Sequence, residues 1–140
     1  MKNILPASAL ALCAALALAT SCNGDKAKIS GRIAGPQQST VVLEQITAAG
    51  SVAVDSVTTD RKGNFRFDLG VPPCGTTFYN LRIGDDRIPL FVAPGEKVTV
   101  SSLYGNPGSY LVDGSRESVL VKELHDTMNA GVRRLDSLSR

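Results

Sequence analysis

Polar and apolar residues alternate with a period of two along most of this chain, and with a period of three to four at its end. "KISGRIAG" alternates Ile29, Gly31 and Ile33, then breaks at "GPQQS". "TVVLEQI" is a second run, and "SVAVDSVTT" alternates Val52, Val54 and Ser56, with Val57 crossing the register. "NFRFDLG" sets Phe65, Phe67 and Leu69 on one face and Arg66 and Asp68 on the other. "TFYNLRIG", "RIPLFVA", "KVTVSSL" and "SYLVDG" complete the series. Successive strand side chains point to opposite faces, so each run offers one apolar face to a core. Short runs divided by turn residues at roughly eight- to twelve-residue intervals predict an all-β sandwich or barrel. The expected fold is an antiparallel β-sandwich of seven to eight short strands over 27–113, followed by a C-terminal α-helix. Phe65, Phe67, Leu81, Ile83, Leu90, Val98 and Val100 are expected in its core.

Between the third and fourth runs, "TTDRKGNFRF" predicts a hairpin with a glycine bulge. Asp60 can accept backbone hydrogen bonds at the start of a tight turn, and Gly63 can take positive φ at its end. A calcium loop built from Asp55, Asp60 and Asp68 is the rival. It falls short of the six to eight oxygens that calcium wants, and Arg61 and Lys62 stand where ligands would be needed. Pro94-Gly95 marks another turn. Asp85 and Asp86 form a carboxylate pair that reads more simply as the solvated tip of a hairpin.

The period changes at Ser115. Ser115 is the candidate N-cap of a helix over 115–139, and Glu117 suits the positive first turn. Val121, Leu124, Met128, Leu135 and Leu138 fall on one stripe, with Gly131 in the vacant place. Gly131 makes a bend or break plausible, since glycine costs about 1 kcal/mol against alanine inside a helix. Arg133, Arg134 and Arg140 suit the negative C-terminal end. The stripe either packs on the β domain or meets a partner, and its near-heptad spacing allows a short coiled coil. His125 lies beside the stripe and reads as a surface or flank residue.

The N-terminus is of another kind. Lys2, the apolar stretch from Ile4 to Leu18 and the small residues Ala19, Thr20 and Ser21 have the anatomy of a signal peptide over 1–21. The stretch is shorter than the ~20 residues of a spanning helix, and Pro6 weakens it further. "LATSC" resembles a bacterial lipobox, with Ala19 where leucine is commonest. The expectation is a lipid on Cys22, a short tether over 22–26, and a place in the cell envelope, anchored to a membrane. A plain secretory signal is the alternative. Cys13 would leave with the signal, so Cys22 and Cys74 are the cysteines of the mature chain. There is no C-x-x-C, and His125 is the sole histidine, so metal-ligand spacing is missing. Cys74, in "VPPCGTTF", reads as a small residue near a turn.

Charge changes the picture little. The chain has 15 basic and 13 acidic residues, and Lys2 falls within the signal. A balance so near neutrality, with no tryptophan, gives no ground for expecting a nucleic-acid partner. No nucleophile–base pairing can be named, so the reading nominates no catalytic, cofactor-binding or metal residue.

Taken together, "SCNGDKAKISGRIAG", "VVLEQ", "DSVTTDRKGNFRF", "YNLRIGDDRIPLFVAPGEKVTV" and "YLVDGSRES" are similar to a family of Bacteroidota envelope lipoprotein N-terminal domains. The family is catalogued as domain of unknown function 4369. The resemblance spans nearly all of the mature chain, and it implies a β domain followed by a helical linker and, commonly, a thioredoxin-like domain with a C-x-x-C motif. Those proteins are thiol–disulfide oxidoreductases or peroxiredoxin-like lipoproteins. This sequence departs there, because no thioredoxin-like residues follow the helix, and no catalytic residue carries over. The expectation is a non-catalytic, lipid-anchored scaffolding or spacer module, with helix 115–139 meeting a protein partner or a second copy. Two alternatives stand beside it: a fragment of a redox enzyme, and a stand-alone protein- or glycan-binding lipoprotein.

Overall fold

The computed structural model describes residues 26–35, 38–70 and 75–138. Eight strands precede one helix: β1 (Lys28–Ala34), β2 (Thr40–Thr47), β3 (Gly50–Thr58), β4 (Asn64–Asp68), β5 (Thr77–Ile83), β6 (Asp86–Val92), β7 (Lys97–Leu103), β8 (Asn106–Asp113) and α1 (Arg116–Leu138). They form two four-stranded sheets in the orders β4-β1-β7-β8 and β3-β2-β5-β6. The fold is mainly β, as the alternation predicts. Its pairings are antiparallel with one exception, since β1 and β7 run parallel, with Ile29 opposite Val98 and Gly31 opposite Val100.

The core lies between the sheets. All seven side chains expected there are buried, and Ile29, Val41, Leu43, Ile88, Val92 and Tyr110 join them. Gly31 occupies a core-facing place because nothing larger fits: a Cβ there would sit 1.9 Å from the carbonyl oxygen of Val100.

Asp85 lies in the two-residue turn of a true hairpin, β5–β6, with Ile83 opposite Asp86. The expected hairpin around Asp60 is instead a corner between the sheets. The end of β3 stays with its own sheet, where Thr59 donates its N–H to Ser39 at 2.9 Å and accepts the Ser39 N–H on its hydroxyl. After the turn, β4 pairs with β1 in the opposite sheet. The turn chemistry is as predicted: Asp60 Oδ1 accepts the N–H groups of Lys62 and Asn64, each at 2.8 Å. Gly63 has φ +83°, and its carbonyl accepts the Ile33 N–H at 2.8 Å. Asx-turn chemistry fixes a reversal of the chain but not the strand it reverses onto.

The helix departs from expectation in two ways. It runs without interruption through Gly131, whose surroundings are open, so glycine there lowers helix stability without breaking the helix. The last described turn contains no basic residue, because Arg133 and Arg134 precede it and Arg140 lies outside the described residues.

Candidate interaction surfaces

The first turn of α1 is bolted to an exposed sheet edge. Strand β6 ends its sheet, so its outward N–H and C=O groups need other partners. Ser118, fully buried, accepts the Phe91 N–H and donates to the Phe91 carbonyl, both at 2.8 Å. Ser115 donates to the same carbonyl at 2.7 Å and accepts the Ser118 N–H at 3.3 Å. Ser115 is therefore the N-cap that the sequence nominates, and it also helps tie the helix to β6. Ser118 has no comparable sequence signal, because a serine inside a helix usually faces water.

Beyond that turn, the helix lies on the sandwich by a polar edge. Ser118 is buried, and Lys122, His125 and Asn129 are partly buried. The His125 ring lies 6.3 Å from that of Tyr110 and its Nε2 is 3.1 Å from the Asn129 amide, while Lys122 Nζ is 4.9 Å from the Tyr110 ring. His125 is thus part of the helix–domain contact rather than a surface residue. Burial, aided by the charge of Asp126, pushes the Tyr110 hydroxyl up to about 12.

The apolar stripe faces elsewhere. Leu120, Leu124, Met128, Val132, Leu135 and Leu138 are 53 to 79% exposed. At about 100° per residue, the stripe lies roughly 120° around the helix from the polar edge. Residues 130–138 are all exposed, so the final turns have no contact with the sandwich that shields them. Of the two fates the stripe could have, packing on this domain is not the one adopted. Leu120 and Val132 widen it beyond the residues the heptad pattern picks out.

A second feature lies on the outer face of the β3-β2-β5-β6 sheet, the one that β6 ends. Strand alternation puts Leu43 in the core and Glu44 on the outer face, where it is buried all the same, beside a bulge that gives β3 one extra residue, Val54. Arg82 donates to Glu44 at 2.6 Å and Ser51 donates at 3.0 Å, with Arg87 3.9 Å away. The Arg82 hydrogen bond holds the Glu44 carboxyl below its ordinary range against the opposing effect of burial; Ser51 and the two guanidinium charges assist. Arg82 also floors a cleft of about 390 Å³ lined by Gln38, Ser39, Thr40, Val42, Gly84 and the half-exposed Tyr104. With Arg82 already neutralised by Glu44, the cleft suits a neutral polar group better than an anion. A lone acid in the apolar run "TVVLEQI" is the one sequence signal for this cluster.

The remaining candidates are dispersed. Asp55 caps the Ser56 N–H, Asp60 serves its turn, and Asp68 pairs with Arg66 at 2.8 Å. Asp55 and Asp68 stand on strands of different sheets, and no group of three or more metal-ligating side chains occurs among the described residues. Asp85 and Asp86 lie at their hairpin tip. Cys22 and Cys74 lie outside the described residues, as do the signal and all of the tether but Lys26. No described helix is long and apolar enough to cross a membrane. No protein-family model matches the chain, and no curated protein matches it either. The resemblance stated above therefore rests on its sequence motifs alone.

Proposed function

We propose that this chain is a non-catalytic, lipid-anchored module of the cell envelope whose helix holds a protein partner. The observation that carries the reading is the stripe of six exposed apolar side chains on α1. A helix fixed by its first turn, yet turning its apolar side to solvent, is arranged for contact with another protein surface. The anchor is supported by "LATSC" and the polar run after it. One acyl chain binds a membrane only marginally, so the reading needs two or three chains on Cys22. The resemblance names a thioredoxin-like catalytic domain as one partner, with this module spacing it from the membrane.

The test is the mass of the mature N-terminus, together with the size of the native polypeptide on an immunoblot of cell envelopes. A multiply acylated Cys22 is expected. An unmodified Cys22, or a mature chain starting elsewhere, removes the anchor. A band about twice the length of this chain favours the spacer role, and a band of its own length favours a stand-alone lipoprotein.

The cleft beside Tyr104 favours a second reading, in which a neutral glycan is bound at the sandwich end. Gln38 and Thr40 would supply hydrogen bonds and Tyr104 an aromatic face. Saccharide titrations followed by NMR should then shift these residues in the parent protein and not in Tyr104→Ala.

A further inference from the structure

The geometry points to a second copy of this chain as the occupant of the helical stripe, bound antiparallel. This deepens the proposed function and rests on its reading of the helix as a protein-contact face. Two copies related by a twofold axis near position 129 stack Val121 on Leu138, Leu124 on Leu135 and Met128 on Gly131 of the other chain. The long, flexible methionine then fills the space that glycine leaves, which gives a reason for a glycine in the middle of an apolar stripe.

Charge selects the antiparallel sense. Glu123 and Arg134 are both exposed and lie on the flank turned away from the sandwich. At about 100° per residue they are within roughly 20° of one another around the helix. In the antiparallel pair, Glu123 of each copy comes within one turn of Arg134 of the other, forming two ion pairs. In a parallel pair the same flank of the two copies lies on opposite sides of the seam, and these ion pairs do not form. The antiparallel arrangement also sets the two sandwiches at opposite ends of a helix pair about 34 Å long. The unshielded segment 130–138 of each copy then covers the domain-bound half of the other.

The area is sufficient for a weak dimer. Each stripe side chain offers roughly 50 to 75 Å² of apolar surface, or about 750 Å² between two copies. The stems of Glu123, Thr127 and Arg134 bring the interface near 1,000 Å², the lower bound for a specific contact.

The test places a photo-crosslinking side chain at Leu138 of the full chain in cell envelopes and maps the adducts by mass spectrometry. A homodimer adduct joining position 138 to residues near Val121 is expected. Its yield should drop at least threefold in Glu123→Arg and return in Glu123→Arg combined with Arg134→Glu. An adduct joining 138 to 138, or no loss on charge reversal, overturns the antiparallel pair. Adducts to a different protein overturn self-association while leaving the helix a contact face. No adduct at all removes both this inference and the contact-face reading on which it rests.

Discussion

Replacing Ser118 by alanine should cost more than replacing Ser115, although Ser115 is the N-cap. The Ser118 hydroxyl alone accepts the Phe91 N–H, so its removal orphans a donor at a fully buried site. An unsatisfied buried group costs about 1–3 kcal/mol, and the lost bond to the Phe91 carbonyl adds to it, for a total of about 2–3 kcal/mol. In Ser115→Ala the Phe91 carbonyl keeps Ser118, leaving chiefly the loss of a cap, about 1 kcal/mol. The double variant should exceed the sum of the two by about 1 kcal/mol, because only then does the carbonyl lose both hydroxyls. Urea unfolding of the four proteins followed by circular dichroism gives the energies, and amide exchange at Phe91 reports the edge directly. Additive costs, or a Ser115→Ala variant less stable than Ser118→Ala, would refute the double clamp.

Three further outcomes are expected. Phe67→Ala should lower stability by about 3–5 kcal/mol in urea unfolding, since the ring is 1% exposed between the sheets. Glu44 has a lowered folded-state value, so its stabilisation is present above the ordinary 4.5 and is lost as pH falls through the lowered one; Glu44→Gln should flatten that part of the stability–pH curve. Gly63→Ala should destabilise by more than 1 kcal/mol, because φ is +83° and the new Cβ would approach the Ile33 carbonyl oxygen to 2.1 Å; a thermal midpoint unchanged from the parent would contradict the close approach.

The strands were legible because burial and alternation are the same fact seen from two sides. Phe65 and Phe67, and likewise Val98 and Val100, sit on core faces that their spacing declares. Pairing was not legible, because alternation says which side chains point inward and nothing about the neighbouring strand. That is why the corner at Asp60 passes for a hairpin, and why the parallel union of β1 with β7 has no local signal. On the helix, the apolar stripe was readable but not its relation to the domain. Beside the partly buried Val119 and Val121, the contact includes Ser118, Lys122, His125 and Asn129, polar residues that a hydrophobic pattern assigns to water. The Glu44 cluster escaped for a related reason, since Arg82 and Ser51 reach it only through cross-strand neighbours.

The position of β1 has a consequence for how the chain reaches its native state. It is the first of the described strands to emerge during synthesis, yet it lies inside its sheet, flanked by β4 and by β7. Residues 29 and 98 must meet before that sheet can close, so the pairing waits until most of the chain has emerged. Until then the edge of β1 that β7 will cover stays unpaired even after β4 has docked on the other, and its apolar face is open to wrong partners. A chaperone that shields the first forty residues would act on the step at which this fold is most exposed to aggregation.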